Sequence, residues 1–174
     1  VCVHHLWFTD NDYEQLGSRI KWNPSIKTER DRDELRKALL ENKLDVVATD
    51  HAPHAENEKA VSYEDAPNGI IGFETLFPLI YTGFVMTGRM THAKMIEVLT
   101  TNPAERFNLP YSKIEVGSKA DIAVLDIKTH RKYTKEEIVS KSKNSPFIDM
   151  ELCGYNVLTL VDGKVVYNGL DAKY

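Results

Sequence analysis

The sequence predicts an α/β protein built on parallel strands, followed by a β-rich portion. Three observations predict it. Two short apolar runs, 1–6 and 44–47, are separated by a charged stretch whose leucines recur at helical spacing. Strand, helix, strand in that order implies parallel strands, because a parallel pair needs a long crossover that a helix usually supplies. From Ile114 onward the composition changes to short runs rich in Val, Ile, Leu and Tyr, punctuated by turn residues.

Each element has its own signal. Val1-Cys2-Val3-His4-His5-Leu6 reads as a strand ending in two histidines, and Thr9-Asp10-Asn11-Asp12 as a turn or helix start. Alternation along a strand sends neighbouring side chains to opposite faces, so at most one of His4 and His5 points inward. Asn23 precedes Pro24, which holds its backbone extended and lets its amide project from a loop. Residues 28–42 form a helix, opened by Thr28 or Glu29, striped by Leu35, Leu39 and Leu40, and capped by Asn42. Residues 55–72 form a polar loop with a Pro67-Asn68-Gly69 turn. Helices are expected over 73–86 and 91–99, with a third opened by Asn102-Pro103. Phe73, Phe77, Tyr81 and Phe84 lie at helical spacing and read as core. Asp162-Gly163 between two apolar runs predicts a hairpin, and Asp121 and Asp126 read as turn or strand-end residues.

The chemistry concentrates in Ala48-Thr49-Asp50-His51-Ala52-Pro53-His54. A carboxylate and two imidazoles at the C-terminal end of a buried strand lose hydration unless something pairs with them. A metal ion is a common partner for such a set. Pro53 stops the strand, so Asp50 and His54 fall where strand becomes loop. In α/β folds that end of the strands is where chemistry is done.

The segment 49–54, followed by Glu56, Glu58 and Lys59, resembles the last metal-site strand of dihydroorotases, closest to the bacterial type I group of the amidohydrolase superfamily. His4-His5-Leu6, Asn23-Pro24 and Thr101-Asn102-Pro103-Ala104 also resemble the family, so the likeness runs through nearly the whole chain. It implies the C-terminal part of a metal-dependent hydrolase (β/α)8 TIM barrel over 1–108, and strands of a small β-sandwich over 109–174. The implied reaction is the reversible, zinc-dependent cyclisation of N-carbamoyl-L-aspartate to dihydroorotate in pyrimidine biosynthesis. Asp50 would be metal ligand and general acid/base. His54 would hold the substrate carboxylate, and Asn23 with the Asn68-Gly69 backbone would orient the ring. This chain departs from the family at Ser25 and Lys27, where Pro and Arg are commoner, and at Asn68, where Phe is.

The family's other metal ligands, its histidines included, belong to sequence before Val1, so the resemblance implies a structural or supporting role for His4 and His5. The chain is therefore expected to be a C-terminal portion, inactive alone, that self-associates or binds the upstream segment. A homodimer and a small-molecule substrate are the other partners expected. Allantoinases and hydantoinases are rival readings within the superfamily, and a non-catalytic scaffold subunit is a rival outside catalysis. Composition narrows the classes further. Of 174 residues, 42% are hydrophobic and 28% charged, which is globular rather than disordered. A net charge of -4 lacks the basic footprint of nucleic-acid binding. No apolar run reaches membrane-spanning length. Two distant cysteines, Cys2 and Cys153, make no metal motif and read as free thiols of a cytoplasmic protein.

Overall fold

The computed structural model describes residues 1–110 and 113–170. The parallel arrangement expected of the N-terminal portion is present in miniature. Cys2 and Ala48 form a parallel bridge, with Val3 N–H donating to Ala48 O (3.0 Å) and Ala48 N–H to Val1 O (2.9 Å). A second parallel bridge joins His51 to Ile70. Neither apolar run extends into a full strand. After Cys2 the chain tightens into a 3-10 turn, Val3–Leu6, which buries Val3, His4 and Leu6 together. A strand would have sent these residues to two faces. In the 44–47 run, Val47 N–H turns away to Val98 O (3.1 Å), so the backbone alternates between two partners and no ladder forms.

Between the bridged segments lie α1 (Tyr13–Leu16) and α2 (Glu29–Leu40). The capping box at the start of α2 is complete: Thr28 Oγ1 accepts from Asp31 N–H, and the Asp31 carboxylate accepts from Thr28 N–H (3.1 Å). Asn42 follows the helix at φ +61, the left-handed position asparagine tolerates after a helix end. The polar loop that follows carries one helical turn, α3 (Glu56–Lys59).

The helix expected over 73–86 begins later, as α4 (Leu76–Ile80), and continues through a π turn, Tyr81–Val85. Phe73 thus precedes the helix. It is 69% exposed rather than core, while Tyr81 and Phe84 are buried as expected. Thr91 caps α5 (His92–Ile96) by accepting Lys94 N–H (3.1 Å). A π turn, Glu97–Thr101, joins α5 to α6 (Asn102–Arg106), so two expected helices run as one.

The β-rich portion forms an antiparallel sheet in the order β1 (Ile122–Asp126), β4 (Tyr155–Val161), β5 (Lys164–Asn168). A short pair, β2 (Arg131–Lys132) with β3 (Glu151–Leu152), lies between them in sequence. β4 and β5 are joined by Asp162-Gly163, both at positive φ, as a tight two-residue hairpin loop requires. Asp121 and Asp126 accept backbone N–H bonds at turns. One buried apolar cluster takes Val3, Leu6, Leu39, Leu79 and Phe84 from the first portion and Tyr133, Phe147, Leu152 and Tyr155 from the second. Cys2 and Cys153 are both free. Among the described residues no helix is long and apolar enough to cross a membrane.

Candidate active site

The site is built on the segment that leaves Ala48. Asp50 is exposed and sits at φ +51, a left-handed position that Asp adopts more readily than most residues. The turn at Asp50 is followed at once by re-anchoring. Ala52 N–H donates to Ile70 O (2.7 Å), and His51 Nδ1 accepts Gly72 N–H (3.1 Å). The His51 ring stacks flat on Phe73, 3.9 Å between centroids with 6° between planes. His51 therefore joins the 48–54 segment to the start of the next element, and its face is covered by the exposed Phe73.

Three of the residues singled out in the sequence meet here. His54 Nε2 lies 2.8 Å from Asn68 O. A carbonyl only accepts, so Nε2 carries the proton and donates. His54 Nδ1 faces the Glu58 carboxylate at 3.9 Å. Glu58 is itself tied down, accepting Ala55 N–H (2.7 Å) at the entrance to α3. Gly69 follows Asn68 at φ +122, and its N–H donates to Lys21 O (2.9 Å). That bond ties the 67–69 turn to the loop carrying Asn23, whose side chain is exposed. His5 Nε2 reaches Pro24 O (2.9 Å) and holds the same loop from the other side.

Two groups in this neighbourhood have a bracing role that the sequence does not signal. Lys59 looks like one more solvated charge beside Glu56 and Glu58, yet it is only 5% exposed. Its ammonium donates to Pro67 O (2.9 Å) and Lys21 O (3.4 Å), bracing both loops. Burial, helped by the charge of Lys21, lowers its pKa to about 8. The other group is Ser142 and Asn144, which reach the site from between β2 and β3, some 90 residues beyond His54. Spacing in sequence carries no signal for such a contact.

The amidohydrolase family model matches residues 1–166. The chain belongs to the amidohydrolase family. It is 44% identical to the dihydroorotase of Brevibacillus brevis over 171 residues, 98% of this chain and 40% of that protein. Against the dihydroorotase of Bacillus pumilus it is 44% identical over 96% of this chain and 39% of that protein. The L-hydantoinase (dihydropyrimidinase) of Arthrobacter aurescens superposes with a TM-score of 0.89 at 31% identity, covering 96% of this chain and 38% of that one. The chain thus spans about 40% of the length of the curated relatives it matches. These likenesses fit the TIM-barrel fold of metal-dependent hydrolases.

Against that family, the metal chemistry of the described residues is partial. Asp50 is a suitable ligand, but a catalytic zinc takes about three protein ligands. Among the described residues the one grouping of three potential ligands is Cys2, His4 and His5, whose donor atoms lie within 4.8 Å of one another, and it does not include Asp50. The described residues therefore bring Asp50 no set of partner ligands.

His4 is an amidohydrolase-segment residue with a pH signature of its own. It is 1% exposed, packs 4.4 Å from the Trp22 ring, and has no hydrogen-bond partner among the described residues. Burial, then the nearby His5, lowers its pKa to about 3 from an ordinary 6.5. The unfolded chain takes up this proton near pH 6.5 and the folded chain only near 3. Below pH 6.5 protonation thus favours unfolding, with the full cost reached below about 3. Denaturant midpoints of the intact protein, measured from pH 7 to 4, should fall less steeply in His4→Leu than in the parent. Parallel slopes would mean that His4 is not held neutral.

Proposed function

We propose that this chain is the C-terminal portion of a zinc-dependent dihydroorotase, interconverting N-carbamoyl-L-aspartate and dihydroorotate in de novo pyrimidine biosynthesis. The observation that carries the reading is the 44% identity to dihydroorotases over 98% of the chain. The convergence of His54, Asn68 and Gly69 beside the Asp50 turn supports it. In this reading residues 1–108 complete a TIM barrel and residues 109–174 belong to a small β-sandwich. The protein is cytoplasmic, and it works as a homodimer or with the upstream segment in place.

A bound zinc would polarise the scissile carbonyl and activate water, with Asp50 as one ligand and the others upstream of Val1. Asp50 takes the proton from the attacking water and delivers it to the ring nitrogen as the carbon–nitrogen bond breaks. Ring closure runs the same transfers backwards. The exposed Asp50 turn leaves its carboxylate open to a substrate above the strand ends. His54 holds the substrate carboxylate by turning its Nε2–H from Asn68 O to the ligand, Asn23 offers a donor and an acceptor to the imide edge, and the Asn68-Gly69 main chain orients the ring.

A hydantoinase-type activity is the second reading, favoured by the 0.89 TM-score to an L-hydantoinase. Assays of the intact protein with dihydroorotate, hydantoin and allantoin separate the two. Dihydroorotate is expected to be turned over with the highest kcat/KM; preference for hydantoin would replace the first reading with the second. His54→Ala tests the division of labour within the site. Zinc content should stay near the parent value, while KM rises about tenfold or more as a charge-assisted contact is lost. If zinc content falls in step with activity, His54 is a ligand instead.

A further inference from the structure

We infer that Asn144 is a positioning residue that sets the distance between the two substrate loops, those carrying His54 and Gly69; its role in substrate binding rests on the reading proposed above. A single amide spans both loops. Asn144 Nδ2 donates to Ala52 O (3.2 Å) on one side and to Gly69 O (3.3 Å) on the other. Its Oδ1 accepts His54 N–H (3.3 Å) and the Ser142 hydroxyl (2.5 Å). Two donors and two acceptor sites are all that a carboxamide has, and all four are used. The main chain of the same residue adds a fifth tie, because Asn144 O accepts Ile71 N–H (3.3 Å). Ser142 Oγ also lies against His54 O, and its one proton is shared between that carbonyl and Asn144 Oδ1, while His54 N–H is held by Asn144 itself.

These contacts determine which side chain the position accepts. The partners on one side of the amide are two carbonyl oxygens, and on the other a peptide N–H and a hydroxyl. Only a group with donors on one edge and acceptors on the other satisfies both. Aspartate has the same shape but would press an anion against Ala52 O and Gly69 O while keeping its bond to His54 N–H. Alanine loses both edges. Asn144 touches main chain at both loops and leaves the His54 ring free to bond Asn68 O. It therefore acts on substrate through the spacing of the loops, and the bracket arrives from the β-rich portion of the chain. In this way the second portion of the molecule sets the geometry of a site whose other residues lie in the first.

The test uses the intact, metal-loaded protein with Asn144→Asp, Asn144→Ala and, as a control in the same segment, Ser140→Ala. Ser140 bonds Glu74, which lies in neither loop. For Asn144→Asp, KM for dihydroorotate should rise about tenfold or more while kcat changes by less than about threefold and zinc content holds. Backbone hydrogen exchange should quicken in peptides spanning 52–54 and 68–71 together. Ser140→Ala should change neither. Unchanged KM with unchanged exchange at both loops overturns the bracket. So does a fall in kcat together with zinc loss at constant KM, which would place the effect at the metal. If Asn144→Asp does not fold, exchange in Asn144→Ala decides, with protection retained at both loops counting against the proposal. A parent that ignores dihydroorotate but opens another cyclic amide defeats the substrate reading alone. KM for that amide and the exchange data then still judge Asn144.

Discussion

Asp50→Asn in the intact protein is expected to lower turnover about 10³-fold or more, with the fold intact. The change removes the carboxylate that the described residues offer at this turn, and it keeps the size and shape of the side chain. An amide neither accepts the proton of attacking water at neutral pH nor returns it to a leaving nitrogen. It is also a poor zinc ligand beside a carboxylate. Folding should be little affected, because Asp50 is exposed and asparagine tolerates φ +51 as well as aspartate does. The measurement is kcat beside zinc content and a thermal melt. A properly folded variant with near-parent turnover would remove Asp50 from the chemistry.

Local rules reached some parts of this molecule and missed others, for physical reasons that differ residue by residue. The Thr28 capping box, the Thr91 cap and the Asp162-Gly163 hairpin loop are decided by atoms within a few residues of each other, so they were legible. The strands at 1–6 and 44–47 were not, because a strand is defined by its neighbour. Val47 finds Val98, and Val3 folds into a helical turn, through partners that no window of local sequence contains. Phe73 was misplaced for a related reason. Its spacing fits the helix after it, but the helix begins only at Leu76 and His51 provides a flat ring to stack on.

The candidate site divides the same way. Asp50 and His54 stood out by residue type at an expected strand end, and Gly69 by the Pro67-Asn68-Gly69 turn signal. The bracing roles of Lys59 and Asn144 did not, since a lysine in an acidic loop and an asparagine in a Ser-Lys-Asn-Ser run both look like solvated surface. What distinguishes them is the set of carbonyls they meet, at Pro67 and Lys21 for one and at Ala52 and Gly69 for the other. Buried and half-buried donors aimed at backbone acceptors mark loops whose position is fixed, and fixed loops are what an enzyme needs around a substrate.

Gly69→Ala should therefore damage the site more than any other single methyl added to it. At φ +122 an L side chain is strained in any surroundings, at a cost of about 1–3 kcal/mol. Here the surroundings add to the strain: a Cβ at Gly69 would lie 2.4 Å from the Ala52 Cβ, 3.3 Å from His54 Nε2 and 3.4 Å from Ala52 O. The first contact is far inside van der Waals distance, and Ala52 cannot yield by rotating because its side chain is a single methyl. The backbone must move instead, and the 67–69 turn is held by Lys21 O, Lys59 and Asn144. Separating the turn from the 52–54 segment breaks the Asn144 bonds to one loop or the other and draws Asn68 O away from His54. The expected result is a thermal midpoint lowered by several degrees and a KM raised about a hundredfold or more, with zinc retained because Asp50 lies outside the displaced contacts. A second substitution sharpens the reading: Ala52→Gly in the Gly69→Ala background removes the methyl being struck and should restore part of the lost affinity, leaving the φ strain in place. If Gly69→Ala binds dihydroorotate as the parent does, the turn is not packed against the 52–54 segment in the working enzyme and does not orient the substrate.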